Sequence, residues 1–181
     1  AIDDNFSKLV LKKFTEDLDN DKNIFLQSDI DGFKKFENKI DDEIHGAELT
    51  SFFTISEIYI KRLKETADLY TDILGKPFDF TKDESVMLDR EKLSNPKTEG
   101  ERKDIWRKRL KYLTLDRYNL LLETREKNKD SASFKVKADS TLEREARDAV
   151  RKQIDRYFST KITRENNDEN FSTFVNAITG T

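Results

Sequence analysis

Apolar positions recur at intervals of three and four along most of this chain, and the first expectation is a set of amphipathic helices. Leu9, Val10, Phe14 and Leu18 predict a helix over about Ser7–Leu18. Asp19–Asn23 then reads as a turn, followed by a short apolar plug of Ile24, Phe25 and Leu26. Ser28 reads as an N-cap, with Asp29 and Asp31 favouring the helix dipole, for a second helix carrying Ile30, Phe33, Phe36 and Ile40. Gly46 breaks the chain. A long third helix is predicted over Thr50–Leu74, with Phe52, Phe53, Ile55, Ile58, Tyr59 and Leu63 on its apolar stripe. Gly75 and Pro77 supply its stop signal.

The pattern lapses over residues 76–97. Lys76–Phe80 should be extended, because the residue before a proline avoids helical backbone angles. Thr81 and Glu84 fit a capping box opening a short helix, while Val86, Leu88 and Arg90 alternate like a strand; both readings stand. Beyond Pro96, Thr98 and Glu101 form a capping box for a helix to about Lys127, with Ile105, Trp106, Leu110, Leu113, Leu120 and Leu121 on one face. Arg117 interrupts that face, with its stem along the seam. Ser140 and Glu143 open another helix to about Thr163, and Asp168 caps a last one carrying Phe171, Phe174, Val175 and Ile178. The fold class is therefore all-α: an irregular bundle of about six or seven helices with one extended connection around 76–97.

Composition tests whether such a chain folds at all. Charged residues reach 39% and hydrophobic ones only 35%, a balance that would suit disorder. Leu, Ile, Val and Phe nevertheless supply 48 of the 181 residues, above the roughly 20% below which a core cannot be built. Five Gly and two Pro are few, which fits long helices. The net charge of −3 argues against a phosphate-backbone binder, and no apolar run is long enough to span a membrane.

Candidate chemistry is thin. With no Cys, thiolate metal sites, disulfides and thiol nucleophiles are excluded, and one His leaves no multi-histidine site. Asp17, Asp19 and Asp21 imitate a calcium loop, but Lys22 replaces the turn glycine and Ser28 the bidentate Glu, so a solvated turn is expected. Trp106, beside Arg107, Lys108 and Arg109, could suggest base stacking; its apolar neighbours place it in a core instead. Ser94 and Lys97 have a Ser-x-x-Lys spacing, which Pro96 keeps off a helical turn. Two Asn-Phe-Ser sequons, at Asn5 and Asn170, matter only in a glycosylating compartment. No cofactor or metal is implied.

Four stretches in order resemble one family. Leu18-Asp-Asn-Asp-Lys-Asn-Ile-Phe-Leu-Gln-Ser-Asp-Ile-Asp-Gly-Phe33 is similar to a Leu-Asp … Lys-x-Tyr-Phe-Leu-x-x-Asp-Ile-x-x-Phe signature, with Ile24 where many relatives have Tyr. Lys76-Pro-Phe-Asp-Phe-Thr-Lys-Asp-Glu84 is followed by Leu88-Asp-Arg-Glu-Lys92, then by Ile105-Trp-Arg-Lys-Arg-Leu110 and by the segment Asp168–Ala177. Together they resemble the N-terminal region of the tail-specific, or carboxy-terminal processing, peptidases.

That resemblance implies that 1–181 is the helical N-terminal domain of a longer bacterial periplasmic or envelope enzyme. Its PDZ and Ser/Lys-dyad peptidase domains would lie outside this chain and be its partners, together with protein substrates or an adaptor. No catalytic residue carries over. The expected roles are structural or docking: Phe78 and Phe80 plugging an apolar seam from the irregular connection, Asp89 and Arg90 fastening that connection by charge-assisted bonds to neighbouring helices, Trp106 in the core, and Phe171 and Phe174 on the last helix. The rival expectation is a free-standing helical protein-interaction module.

Overall fold

The computed structural model describes residues 1–163 and 165–181, with the backbone alone for 165–167. Among the described residues the elements are α1 (Asp4–Leu18), α2 (Gln27–Phe33), α3 (Ile40–Ile44), α4 (Thr50–Leu74), α5 (Glu99–Asn128), α6 (Asp139–Ile162) and α7 (Glu165–Thr179). Two short 3-10 turns cover Lys34–Phe36 and Arg90–Lys92, and no strand occurs among the described residues. The all-α reading holds.

The chain forms two compact units. The first comprises Ala1–Thr66, Met87–Arg102 and Ser159–Thr181; the second comprises Ala67–Val86 and Lys103–Phe158. In the first unit, Val10, Leu11, Phe14 and Leu18 of α1 are buried with Ile24, Phe25, Phe33, Phe36 and Ile40. Phe52, Ile55, Tyr59 and Leu63 of α4 and Phe174 and Ala177 of α7 belong to the same unit and are also buried. Its aromatic rings interlock: Phe14 meets Phe174 edge-on at 5.1 Å, and Phe25 meets Phe33 at 5.3 Å and Tyr59 at 5.6 Å. The edge-to-face pairs, Phe14–Phe174 and Phe25–Phe33, add a specific term to the burial.

The second unit's core joins Tyr70, Ile73 and Leu74 of α4, Trp106 and Leu110 of α5, and Leu142, Ala146, Val150, Ile154 and Phe158 of α6. Phe158 is central, 5.0 Å from Tyr70 and 5.6 Å from Trp106 between ring centroids. Tyr70 donates its hydroxyl to Asp155 at 2.6 Å, and burial, reinforced by that carboxylate, raises its phenol above the ordinary range.

Several local expectations are corrected. Leu9 is exposed, and Leu11 takes the core position instead. The single helix expected after Ser28 is three short pieces, and Ser28 caps none of them. The N-cap is Leu26, two residues earlier, because Asp29 reaches back to accept from the Leu26 N–H at 2.9 Å, while Gln27 N–H donates to Pro96 O at 2.8 Å. Gly46 does break the chain, at φ 113, an angle that side chains other than glycine strain to adopt.

The Thr50–Leu74 helix has the expected ends, although Phe53 on its predicted stripe faces solvent. Gly75 does not take a left-handed C-cap. The guanidinium groups of Arg147 and Arg151 both donate to the carbonyl of Leu74, at 3.1 and 3.0 Å.

Between 76 and 97 neither the α-helix nor the strand forms. Thr81 instead turns back on Asp79, donating both its N–H and its hydroxyl to that carboxylate, which these bonds hold below its ordinary range. Farther on, Glu101 N–H donates to Thr98 Oγ1 and the Glu101 carboxylate accepts from Lys97 N–H, so the box expected there forms with its return bond one residue early. Ser140 lies inside α6, which begins at Asp139, so it caps nothing. Glu143 is buried against Arg147 instead. Asp168 is also inside its helix, α7 starting at Glu165; the preceding position, 164, lies outside the described residues. Leu120, expected on the apolar face of α5, is exposed, whereas Arg117, which interrupts that face, is exposed as its charge requires.

Candidate functional site: the 19–29 knot, its cleft and the exposed phenylalanines

The loop that resembled a calcium site is closed by its own backbone. Asp19 is buried, with one carboxylate oxygen accepting from the N–H of Asn23 (3.1 Å) and the other from Ile24 (3.1 Å) and Phe25 (2.9 Å). Burial pushes the Asp19 carboxyl up to about 6, against the opposite pull of those three N–H groups. Lys22 bends the loop at φ 49, where a glycine would be easier, and its Nζ donates to Leu93 O at 3.1 Å. Asp21 faces outward to Arg90 at 2.9 Å. No group of three or more potential metal ligands converges among the described residues.

An ionic chain fastens the knot from behind. Arg62 grips both oxygens of Asp29, at 2.8 and 2.9 Å, and reaches Glu65 at 3.0 Å. Arg102, only 2% exposed, donates to Glu65 at 2.9 Å and to the Ile24 carbonyl at 3.1 Å. Burial alone would raise Glu65, but the two guanidinium groups win and hold its carboxyl below the usual range. A fork from Arg62 fixes direction as well as charge. Asn95 completes the closure, donating to Phe25 O at 3.2 Å.

A cleft of about 240 Å³ lies in this unit. Leu11, Ile30 and Phe33 line it with apolar surface, and Lys8, Lys12 and Lys34 stand among its lining.

The residues singled out from sequence are scattered. Phe78 and Phe80 are half-buried in the second unit, their rings 6.1 Å apart, and Phe80 stacks on Tyr118 at 5.6 Å. The same connection is pinned by Glu84, which accepts from Arg107 at 3.1 Å and from Lys111 at 2.9 Å. Those two cations, Arg107 first, hold the Glu84 carboxyl down to about 2. Asp89 caps its own 3-10 turn through Glu91 N–H at 3.1 Å, so it does not reach a neighbouring helix. Arg90 does form a charge-assisted bond, but to the Asp21 loop rather than to a helix.

Trp106 is 3% exposed and lies in the core. Phe171 and Phe174 part company. Phe174 is 2% exposed, within 5.5 Å of Phe52, whereas Phe171 is 45% exposed and leans edge-on against the outer side of Phe52 at 5.4 Å. Phe53, 65% exposed, meets Phe52 at 5.2 Å, and Val175, one turn beyond Phe171, is 37% exposed. His45 is exposed at its helix end, its Nδ1 2.7 Å from Asp41 O. The Asn170 side chain is buried, so that sequon presents no accessible amide in the folded chain.

Sequence reasoning missed Arg62, Arg102 and Arg147, and it read Glu84 and Glu143 as helix-capping residues although both serve ion pairs. One signal was available for Arg102: it stands four residues before Trp106 and eight before Leu110, in line with the buried face.

Of the four motif stretches, the first forms the 19–29 knot, the second the connection fastened by Glu84, and the last two lie in α5 and α7. Residues 1–181 match the family described as the tail specific protease N-terminal domain. A tail-specific protease of Haemophilus influenzae is 32% identical over 111 residues, a match covering 61% of this chain and 16% of that protein. The chain therefore spans a small part of the length of that relative. It belongs to the tail-specific protease N-terminal domain family.

Proposed function

We propose that this chain is the non-catalytic, helical N-terminal domain of a bacterial-envelope carboxy-terminal processing peptidase with a Ser/Lys dyad. It docks on the PDZ–peptidase body and supports engagement of substrate tails or of an adaptor. The observation carrying this reading is the exposed apolar strip of Phe53, Phe171 and Val175, built over the buried Phe52. Exposed apolar side chains grouped around one buried ring in this way suit an interface. Family membership supplies the parent's class. The geometry also refines the docking residues: Phe171 can contact a partner, whereas Phe174 serves the core.

The test is functional complementation in trans. The PDZ–peptidase body is expressed without this domain, and cleavage of an unstructured C-terminal tail is followed with and without the 181-residue chain added. Added chain is expected to raise tail cleavage and to hydrolyse nothing when alone. Turnover by the chain alone, or a body indifferent to its addition, would refute the reading.

A further inference from the structure

A groove of about 790 Å³ between α5 and α6, within the second unit, plays no part in the docking reading. Its α5 wall is Leu113, Asp116, Arg117 and Leu120, which the spacing of three and four places on one face of that helix. Leu120 is 54% exposed, a large apolar side chain that its own unit leaves uncovered. The groove follows α6 from Glu145 to Arg156, about 16 Å or three turns. A slot of that length along two helices suits further helices better than a compact small molecule.

The charges in the groove are self-complementary. On α5, Leu113 and Leu120 stand equally far from the Asp116–Arg117 pair, an acid and a base side by side at the midpoint. On α6, Asp148 and Lys152 bracket Val150, while Glu145 and Arg156 stand farther out, equally spaced about the Val150–Arg151 bond. Turned end for end, each acid takes the place of a base and each leucine the place of a leucine. The two midpoints also nearly coincide. The helices run antiparallel, with Arg125 paired to Asp139 at 2.6 Å toward one end and Trp106 against Phe158 at 5.6 Å toward the other. Counted inward from those contacts, the α5 midpoint is level with Arg147–Asp148, about 4.5 Å and less than one turn from the α6 midpoint.

We infer that this groove is the interface of a two-fold dimer, in which the α5–α6 hairpins of two copies pack antiparallel. Leu113 of one copy meets Leu120 of the second copy, and Asp148 meets Lys152 of the second copy. A two-fold interface uses one patch twice, so the patch must complement itself, and a foreign helix would require no such symmetry. Parallel packing would set acid against acid, which fixes the orientation. Asp116, Arg117 and Lys152 are exposed and make no ion pair among the described residues. Asp148 reaches Arg151 only at 3.7 Å, and Glu145 pairs with Lys137 at the surface, contacts that a second copy displaces at little cost. The slot is shorter than a standard interface of about 800 Å² per partner needs, so the dimer is weak. It shares no residue with the Phe53–Phe171–Val175 strip, so either reading can fail without the other.

The experiment is sedimentation equilibrium of the 181-residue chain from about 10 μM to about 1 mM. The weight-average mass is expected to rise toward that of a dimer, with a Kd on the order of 100 μM. Leu120→Glu should leave only monomer. Lys152→Asp and Asp148→Lys should each weaken the dimer about tenfold, because like charges then face each other. An equimolar mixture of those two variants should associate at least as tightly as wild type, a rescue that no ion pair within one helix can produce. All three positions are exposed, so the variants should keep their helical circular dichroism. A chain that stays monomeric at about 1 mM overturns the inference, and so does a dimer indifferent to Leu120→Glu or a mixture no tighter than its components. Self-association abolished by Phe171→Asp but not by Leu120→Glu would place the contact on the phenylalanine strip and equally overturn it.

Discussion

Trp106 and Asp19 show how differently single residues serve this chain. Trp106 fills the second unit against Phe158 and is buried there. Truncating a buried tryptophan removes both its transfer energy and its packing, so Trp106→Ala should cost about 3–5 kcal/mol in urea unfolding. A loss below about 0.5 kcal/mol is the behaviour of a surface position and would contradict the assignment.

Asp19 instead holds backbone. Its carboxyl titrates at about 6 in the folded chain against 3.8 unfolded, so the folded state binds its proton more tightly. The stability contributed by that proton is complete below 3.8 and is lost as pH rises through about 6. The 13C carboxyl resonance of Asp19 should therefore show a midpoint near 6. A midpoint at or below 3.8 would mean that the three N–H donors outweigh burial.

At the scale of elements, the irregular connection is ordered by charge rather than by regular hydrogen bonding. Glu84 anchors it to Arg107 and Lys111 of α5 and stays ionised down to about 2, against 4.5 when unfolded. A depressed carboxyl gives stability that is present above 4.5 and lost as pH falls toward about 2. Amide exchange across residues 78–86 should accelerate in that acid window, and Glu84→Gln should show the faster exchange already at pH 7. Unchanged exchange in both cases would show that the phenylalanines hold the segment without the ion pairs.

The elements also show where the sequence could be read. The α4 stripe ran unbroken for 25 residues, and the Thr98–Glu101 box announced α5, so both helices were legible. The caps at Ser28, Ser140 and Asp168 were not, because each helix starts before the polar residue that seemed to open it. At Ser28 the first turn is satisfied by Pro96 O and by Asp29, one contact coming from 69 residues away along the chain and invisible to local pattern. The same holds for the candidate site. The Leu18–Phe33 motif was visible as a motif, but its purpose depends on Arg62 and Arg102, supplied by other helices. Phe171 and Phe174, three residues apart on one helix, looked equivalent until α1 and Phe52 buried one and left the other at the surface.

Phe53, Phe171 and Val175 lie uncovered on the first of the two compact units, and the proposal assigns that strip to the PDZ–peptidase body. The most direct measurement is the association of the 181-residue chain with the separately expressed body, by sedimentation velocity, using wild-type chain and Phe171→Asp. Phe171 is a sound probe because its ring is 45% exposed, so the variant should retain its helical circular dichroism, which a charge at Phe174 would not allow. Binding by the wild type and its loss in a folded Phe171→Asp chain is the expected result. No association at roughly 100 μM, weaker than specific docking requires, or equal binding by the variant, would contradict docking through this face.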